Sequence, residues 1–554
     1  MADEFVFLPL GGSNEIGMNL NLYGYGPADD RRWLMVDLGI TFNGGVVPGV
    51  DVICPDPAYI ADRRDHLDGL LLTHAHEDHL GAVPYLWPRL GCPIYGGAFT
   101  LTILRRKLAQ VEWGSRVPLH LVPEDGRVRI GRFDVEMIAV THSIPEASAV
   151  AIHSPAGTVL HTGDWKFDPD PVIGPASDEA ALCRHGDAGV LALVCDSTNV
   201  FEPGTAGSEA SLLPSLSRLI AGCPERVVVA CFASNVARLH TIACAARENG
   251  RDVVMTGHSL KRNYQSALEC GYLRDLPPFI DDRLGTLAAR RSTLIVCTGG
   301  QGEPRAALAR LASDDHPQLS LDEGDTVIFS SRVIPGNELA VGRLSNQLAR
   351  RGIRVLGQRD GLVHVSGHPG EEELCRMYRL VRPRLAIPVH GEFRHLVAHA
   401  QLARREGVKQ ALVVENGAFV RLSPDPPAIV DRVPTGRLTL EGNRLEPIDG
   451  DLVKERTRGL YNGVALVTVA VGAGPQDPVA VQLSTVGLVA AGEEGVMAKV
   501  RRAVTTALAE LPARSYDDDD VVRDAIRLVV RRTFRQLCEK RPVTHVHLVR
   551  SHQR

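Results

Sequence analysis

The sequence predicts an α/β protein: a layered α/β domain interrupted by a second α/β domain and followed by a small α+β domain. Three observations point there. Short apolar strands ending in Gly, His, Asp or Ser alternate with helical stretches in the first part, the pattern of a layered α/β domain. From about residue 208 the pattern becomes strand then helix, the grammar of a parallel sheet. Near residue 361 the strand-end histidines resume, so the middle reads as an insertion.

The elements follow in order. In residues 1–207, "FVFLPLGG", "RRWLMVDLG", "LDGLLLTH", "FDVEMIAVTH", "GTVLHTGD" and "LALVCDSTN" read as strands, with "FTLTILRRKLAQVEW" as a helix between them. Polar residues at strand ends are where such folds place their sites. Residues 208–360 form the inserted domain, and 361–430 complete the first domain with "GLVHVSGHPG" and "RLAIPVHGE". Residues 431–455, rich in Gly, Pro and polar side chains, read as a linker. Residues 456–554 hold strands such as "GVALVTVAV" and two long amphipathic helices. The Asp517–Asp520 run leads into the second of these, where acids suit the positive helix end.

Composition narrows the function. Net charge is −5, whereas proteins that coat nucleic acid are usually basic, so any nucleic-acid contact must be confined to a groove. Arginines number 54 against seven lysines; arginine suits bidentate phosphate contacts, although a biased genome gives the same excess. The 11 cysteines include no C-x-x-C pair, which argues against a disulfide framework and a thiolate zinc site. No apolar run is long enough to span a bilayer. The opening "MADEFVFLPLGG" lacks the features of a signal peptide, so a cytoplasmic location is expected.

The densest chemistry is "THAHEDHLG". Read as a strand running into a turn, it places His74 and His76 on one side, able to bind one ion. The turn brings Asp78 and His79 to the same mouth for a second ion. Imidazole and carboxylate suit zinc. Four ligands cannot complete two ions. The best further candidates close other apolar strands: His142, Asp164 as the bridging carboxylate, and His390.

In order, "THAHEDH", "VTHS", "TGDWKFD" and "PVHGE" match the metal motifs of metallo-β-lactamase-fold hydrolases, which have an αββα sandwich. "CDSTN", "HVSGH" and "PVHGE" resemble the three further motifs of the β-CASP branch, which processes nucleic acids. "LGGSNEIGMN", "FASN", "CTGGQGEP" and "IPGNE" resemble the ribonuclease J family specifically, and the resemblance runs essentially from end to end. It implies one ion held by His74, His76, His142 and Asp164, and a second held by Asp78, His79, Asp164 and His390. The resemblance also implies RNA rather than DNA as substrate, because members of this branch that act on RNA carry histidine at the position matching His390. His258 and Arg332-Val333 depart from the family pattern, both in the inserted domain, where they bear on RNA contacts rather than metal chemistry.

The resulting expectation is a ribonuclease with two zinc ions per chain, with Mg2+ or Mn2+ also supporting activity. It would work 5′-to-3′ from a monophosphate end of single-stranded RNA, with additional internal cleavage, in RNA maturation and decay. The catalytic set is Asp78, Asp196 and His368: His368 is the candidate general acid and Asp196 orients it or a water. Ala233, Ser234, Asn235, Ser331, His364, Val365, Ser366, Gly367 and His368 are the candidate substrate contacts. For Ser234 and Asn235 a helix cap is the competing reading. Gly49, Asp51 and Asn443 offer oxygen ligands for a structural Ca2+ or Mn2+, against the plainer reading of Asp51 as a turn-stabilising aspartate. A homodimer, with a tetramer as the larger assembly, and RNA-degradation proteins as partners are also expected, with no membrane partner. The alternatives are a DNA nuclease of the same fold or, further off, a small-molecule metallo-hydrolase.

Overall fold

The computed structural model describes residues 3–43, 47–284, 289–472, 480–490 and 492–550. They divide into two compact units, one holding most of residues 1–437 and the other residues 438–554 together with 45–51.

Two sheets face each other in the first unit. One runs, in spatial order, through Ala428–Arg432, Ala418–Ser423, Glu4–Gly11, Leu20–Gly26, Arg32–Val36, Leu67–Leu71, Ile94–Gly96 and Leu119–Leu121. The other runs through Gln410–Ala411, Leu385–Val389, Ala192–Asp196, Gly157–His161, Ser148–Ser154, Phe133–Ala139 and Arg127–Ile130. Phe5, Phe7, Tyr23, Leu34 and Leu71 of the first sheet interdigitate with Val135, Val150, Ile152, Val194 and Ile387 of the second. Helices Glu179–Ala188, Glu371–Val381 and Phe393–Arg405 cover the outer side of the second sheet through Leu182, Leu374, Met377, Tyr378 and Ala400. Helix Ala98–Leu108 packs on Ile94–Gly96 and Leu119–Leu121 of the first. This is the αββα sandwich.

The chain leaves the sandwich and returns to it. Leu385–Val389 pairs in parallel with Ala192–Asp196, with Leu385 opposite Ala192 and Val389 opposite Asp196. That register puts His390 beside the end of the Asp196 strand, across nearly two hundred residues of sequence. Between them lies a parallel sheet ordered Ile280–Asp281, Asp252–Thr256, Thr293–Cys297, Val227–Ala230, Thr326–Phe329 and Arg354–Leu356. Its three central strands, Thr293–Cys297, Val227–Ala230 and Thr326–Phe329, are fully buried, which is why they read as continuous apolar runs.

In the second unit, strands Ala480–Val486, Val464–Val471 and Val543–Arg550 form one sheet. Helices Glu494–Ala509 and Asp519–Cys538 cover one of its faces through Val500, Val504, Ile526, Val530 and Phe534, packed on Ala465, Val467 and Val469. The Asp518 carboxylate caps the second helix by accepting the Asp520 and Val521 N–H groups.

Candidate metal centre

The strand before the histidine cluster ends at Leu71, and a helical turn begins at Glu77. His74 and His76 therefore sit past the strand, with extended backbone at His76, rather than within it. The turn Glu77–Leu80 starts in a tight space. A Cβ on Gly39 would lie 1.7 Å from the Asp78 carbonyl oxygen, so only glycine lets the "VDLG" chain pass there.

Two ligand groups result, sharing one carboxylate. His74, His76, His142 and Asp164 form the first; Asp78, His79, Asp164 and His390 form the second. His76 Nδ1 lies 3.1 Å from His74 Nε2 and 3.0 Å from His142 Nε2. A tetrahedral zinc with bonds of about 2.0–2.1 Å sets its ligand atoms about 3.3 Å apart, so these three nitrogens fit one ion. Asp164 Oδ2 is 3.8 Å from His74 Nε2, 3.7 Å from His142 Nε2 and 3.2 Å from His79 Nε2. Asp164 Oδ1 is 3.1 Å from His390 Nδ1, and His390 Nε2 is 3.2 Å from Asp78 Oδ2.

The electrostatics also fit cations. Burial lowers the pKa of His74 and His142 and brings that of His76 to about 4, so all three stay neutral, the form that binds metal. Burial opposes charge on His79 and His390 too, yet Asp164 and its neighbouring carboxylates outweigh it and raise both well above the usual value. That half of the pocket draws positive charge, which a divalent ion supplies.

Other groups orient these ligands. Asp37 Oδ2 is 2.7 Å from His79 Nδ1, and the Thr73 N–H donates to Asp37 Oδ1 at 2.8 Å. The Gly367 carbonyl is 2.5 Å from His142 Nδ1. Asp37 and His390 both have positive φ, 64° and 51°, and the His390 N–H donates to the Gly12 carbonyl at 2.6 Å. Such strain concentrates at functional sites.

His368 Nδ1 lies 2.8 Å from Asp196 Oδ2 and 4.0 Å from Asp164 Oδ2. Burial disfavours its charge, but Asp196 and Asp164 more than offset this and raise its pKa. Its side chain keeps 22% of its surface exposed, whereas Asp196 keeps none. Asp196 Oδ1 accepts the Thr198 N–H and hydroxyl.

The candidate substrate residues fare differently. Ser366 Oγ accepts from Asn199 Nδ2 at 2.7 Å and from the His368 N–H at 3.1 Å, so it shapes its own turn. Gly367 serves His142 through its carbonyl, and Val365 is buried, lying against Gly207. Asn235 Oδ1 caps the helix Val236–Glu248 at the Arg238 N–H, while Ser234 beside it is half-buried. His364 lies 3.5 Å from the buried guanidinium of Arg238, and burial together with Arg238 lowers its pKa to about 3. It can meet a phosphate only as a neutral donor. Ala233 and Ser331 line a cavity of about 100 Å³ at the carboxyl ends of the parallel sheet, and the buried Ser331 Oγ makes no hydrogen bond. Arg332 pairs with Glu202 at 2.6 Å, and His258 is exposed at the start of a helix.

Asp51 and Asn443 are exposed. At Gly49 the neighbouring charge is Arg456, which donates to the Pro48 carbonyl at 3.2 Å and pairs with Glu441.

Asp37, Thr198, Asn199 and Arg238 escaped the sequence reading. Two signals were visible: Asp37 closes the strand "RRWLMVD" as His142 and Asp164 close theirs, and Thr198 and Asn199 belong to the motif "CDSTN". Arg238 looks in sequence like any helical arginine, yet it is 1% exposed and is held by Glu209 and the Ser330 carbonyl.

Comparison with known proteins agrees with this architecture. Residues 25–230 match the Metallo-beta-lactamase superfamily and 224–348 match Ribonuclease J, beta-CASP domain. Residues 352–414 match the Zn-dependent metallo-hydrolase RNA specificity domain and 452–551 the Ribonuclease J C-terminal domain. A Ribonuclease J of Sinorhizobium meliloti is 41% identical over 99% of this chain and 98% of its own length. Those of Mycolicibacterium smegmatis and Thermus thermophilus are 39% and 36% identical, over 96% and 98% of this chain and 95% and 94% of their own lengths. A crystal structure of a protein of unknown function from Enterococcus faecalis V583 shares the fold, with a TM-score of 0.53 at 19% identity over 76% of this chain and all of that one. With relatives this similar along nearly its whole length, the chain belongs to the ribonuclease J family.

Proposed function

We propose that the chain hydrolyses RNA phosphodiesters with two zinc ions, acting 5′-to-3′ from monophosphate ends with additional internal cleavage. The observation that carries this reading is the pair of ligand groups sharing Asp164, with the His368–Asp196 pair at their edge. His74, His76, His142 and Asp164 would hold one ion, and Asp78, His79, Asp164 and His390 the other. Ions in such a pair supply a water nucleophilic near neutral pH and draw charge from a phosphoryl oxygen. His368 keeps a proton because Asp196 holds it, and its partly open ring can deliver that proton to a leaving 3′ oxygen. Asn199 ties the "CDSTN" loop to the "HVSGH" loop by donating to Ser366 Oγ and to the His368 carbonyl, which fixes the acid's position.

For the 5′ end, Ser234, Ser331 and His364 offer neutral donors, while the buried Arg238 charge is already committed to Glu209. A monophosphate can be held by several donors; a triphosphate adds charge without a partner, which is costly to bury. Copies of the chain assemble through the region after Tyr461, where Leu466, Val486 and Val549 are 46%, 63% and 43% exposed. Among the described residues no helix is long and apolar enough to cross a membrane, and a cytoplasmic place of action suits an RNA substrate.

The test is digestion of 5′-monophosphate RNA, 5′-triphosphate RNA and single-stranded DNA in parallel, with Zn2+, Mg2+ or Mn2+. Monophosphate RNA should be degraded at least tenfold faster than triphosphate RNA, a difference of about 1.4 kcal/mol. Equal rates on the two RNA ends would remove the end-reading pocket. Faster digestion of DNA would favour the DNA nuclease.

A further inference from the structure

A second kind of ligand cluster lies in the first unit and shares no residue with the centre above. Glu136 is on strand Phe133–Ala139 and His153 on strand Ser148–Ser154. Asp134 pairs with His153 and Glu136 with Ala151, so Glu136 and His153 are diagonal neighbours on one face of the sheet. His185 reaches that face from helix Glu179–Ala188. Donor atoms of the three residues all lie within 4.8 Å of one another, and His185 Nε2 is 3.3 Å from Glu136 Oε2.

Two features point to a ligand. His185 is only 6% exposed, and its buried Nε2 makes no aligned hydrogen bond, its one close partner being Glu136 Oε2 at 3.3 Å, so a cation can sit between imidazole and carboxylate. His153 Nδ1 lies 2.8 Å from Thr158 Oγ1. Metal-ligating histidines characteristically give their second N–H to an oxygen, which fixes the ring and frees the other nitrogen; Thr158 plays that part. Burial keeps both imidazoles toward the neutral form. Arg184 and Arg127 both contact Glu136, with Arg127 3.4 Å from Oε2. These guanidiniums orient the carboxylate and moderate its pull on a cation. Their side chains are 52% and 65% exposed, so water screens them.

We propose that Glu136, His153 and His185 bind a divalent transition metal ion, zinc by ligand chemistry, with water completing its shell. Two imidazoles and a carboxylate are a zinc ligand set. The ion would clip the helix Glu179–Ala188 to two strands of the sheet.

The full chain, equilibrated with zinc and desalted, is compared with His153→Ala, His185→Ala and Glu136→Gln for metal per chain, RNA hydrolysis and circular dichroism. Each variant should carry one zinc equivalent less than the parent and hydrolyse RNA at an unchanged rate. Thr158→Val should keep the ligands but weaken that equivalent about tenfold or more. Cobalt substitution gives an independent readout: the parent minus His153→Ala, whose side chain is only half-buried, should show a visible absorption band. Equal zinc in the parent and all three variants would overturn the proposal and leave an ion-pair network only. So would the absence of a cobalt difference band.

Discussion

Asp37 Oδ2 stands 2.7 Å from His79 Nδ1, and this contact aims His79 Nε2 at Asp164 and Asp78, 3.2 and 3.6 Å away. Partners of this kind are worth about 10- to 100-fold in metal affinity. Asp37→Asn should cost that much at the His79 half while the fold persists. Metal retention against a graded chelator measures it. Retention equal to the parent would limit Asp37 to bracing its turn.

His368→Ala should leave the metal content unchanged and slow hydrolysis by about 10²–10⁴, the usual worth of a positioned proton donor. Asp196→Asn should slow it through the same ring, since Asp196 Oδ2 is 2.8 Å from His368 Nδ1. A His368→Ala rate within about twofold of the parent would take this residue out of the reaction.

Gly367→Ala would place a Cβ 2.8 Å from His142 Cε1 and Nδ1, too close for the ring to stay. Metal affinity at the three-histidine half should fall about tenfold or more. Gly342→Ala is the control: that helical glycine has nothing within 4 Å of a new Cβ, so it should be neutral or stabilise by up to about 1 kcal/mol. Equal metal binding by the two variants would contradict the steric account.

His399 is fully buried between Ser197 Oγ and the Tyr378 hydroxyl, each 2.8 Å away, and burial lowers its pKa from 6.5 to about 4. The unfolded chain therefore takes up this proton first as pH falls. The stabilisation is complete above pH 6.5 and declines toward pH 4, by about 3 kcal/mol in all. Denaturant unfolding between these limits should show a flatter pH slope for His399→Gln. An unchanged slope would assign the acid sensitivity to other groups.

Deleting Gly459–Arg554 should leave monomers with weaker activity. Sedimentation reads this directly, and a truncated chain that still sediments as a dimer would move the assembly surface elsewhere.

What the sequence by itself determined was local chemistry and layering. "THAHEDHLG" displays its ligand types because six adjacent residues can converge without help from the fold. Apolar strands ending in His142, Asp164, Asp196 and His390 announced layered sheets with polar ends. Short-range periodicity also marked the parallel sheet and the helix capped by Asp518. Only the tertiary structure decided which distant groups meet. The parallel register of Leu385–Val389 on Ala192–Asp196 brings His390 to Asp164 and Asp196. Such a register is held by packing of buried side chains, not by spacing along the chain. The same holds for Asp37 on His79, the Gly367 carbonyl on His142, buried Arg238, and the Glu136–His153–His185 cluster, whose members come from two strands and a helix. The same holds around the candidate substrate contacts: the hydrogen bonds that tie Ser366, Gly367 and Asn235 to the backbone and to His142 beside them are set by the fold and cannot be read from the loop motifs.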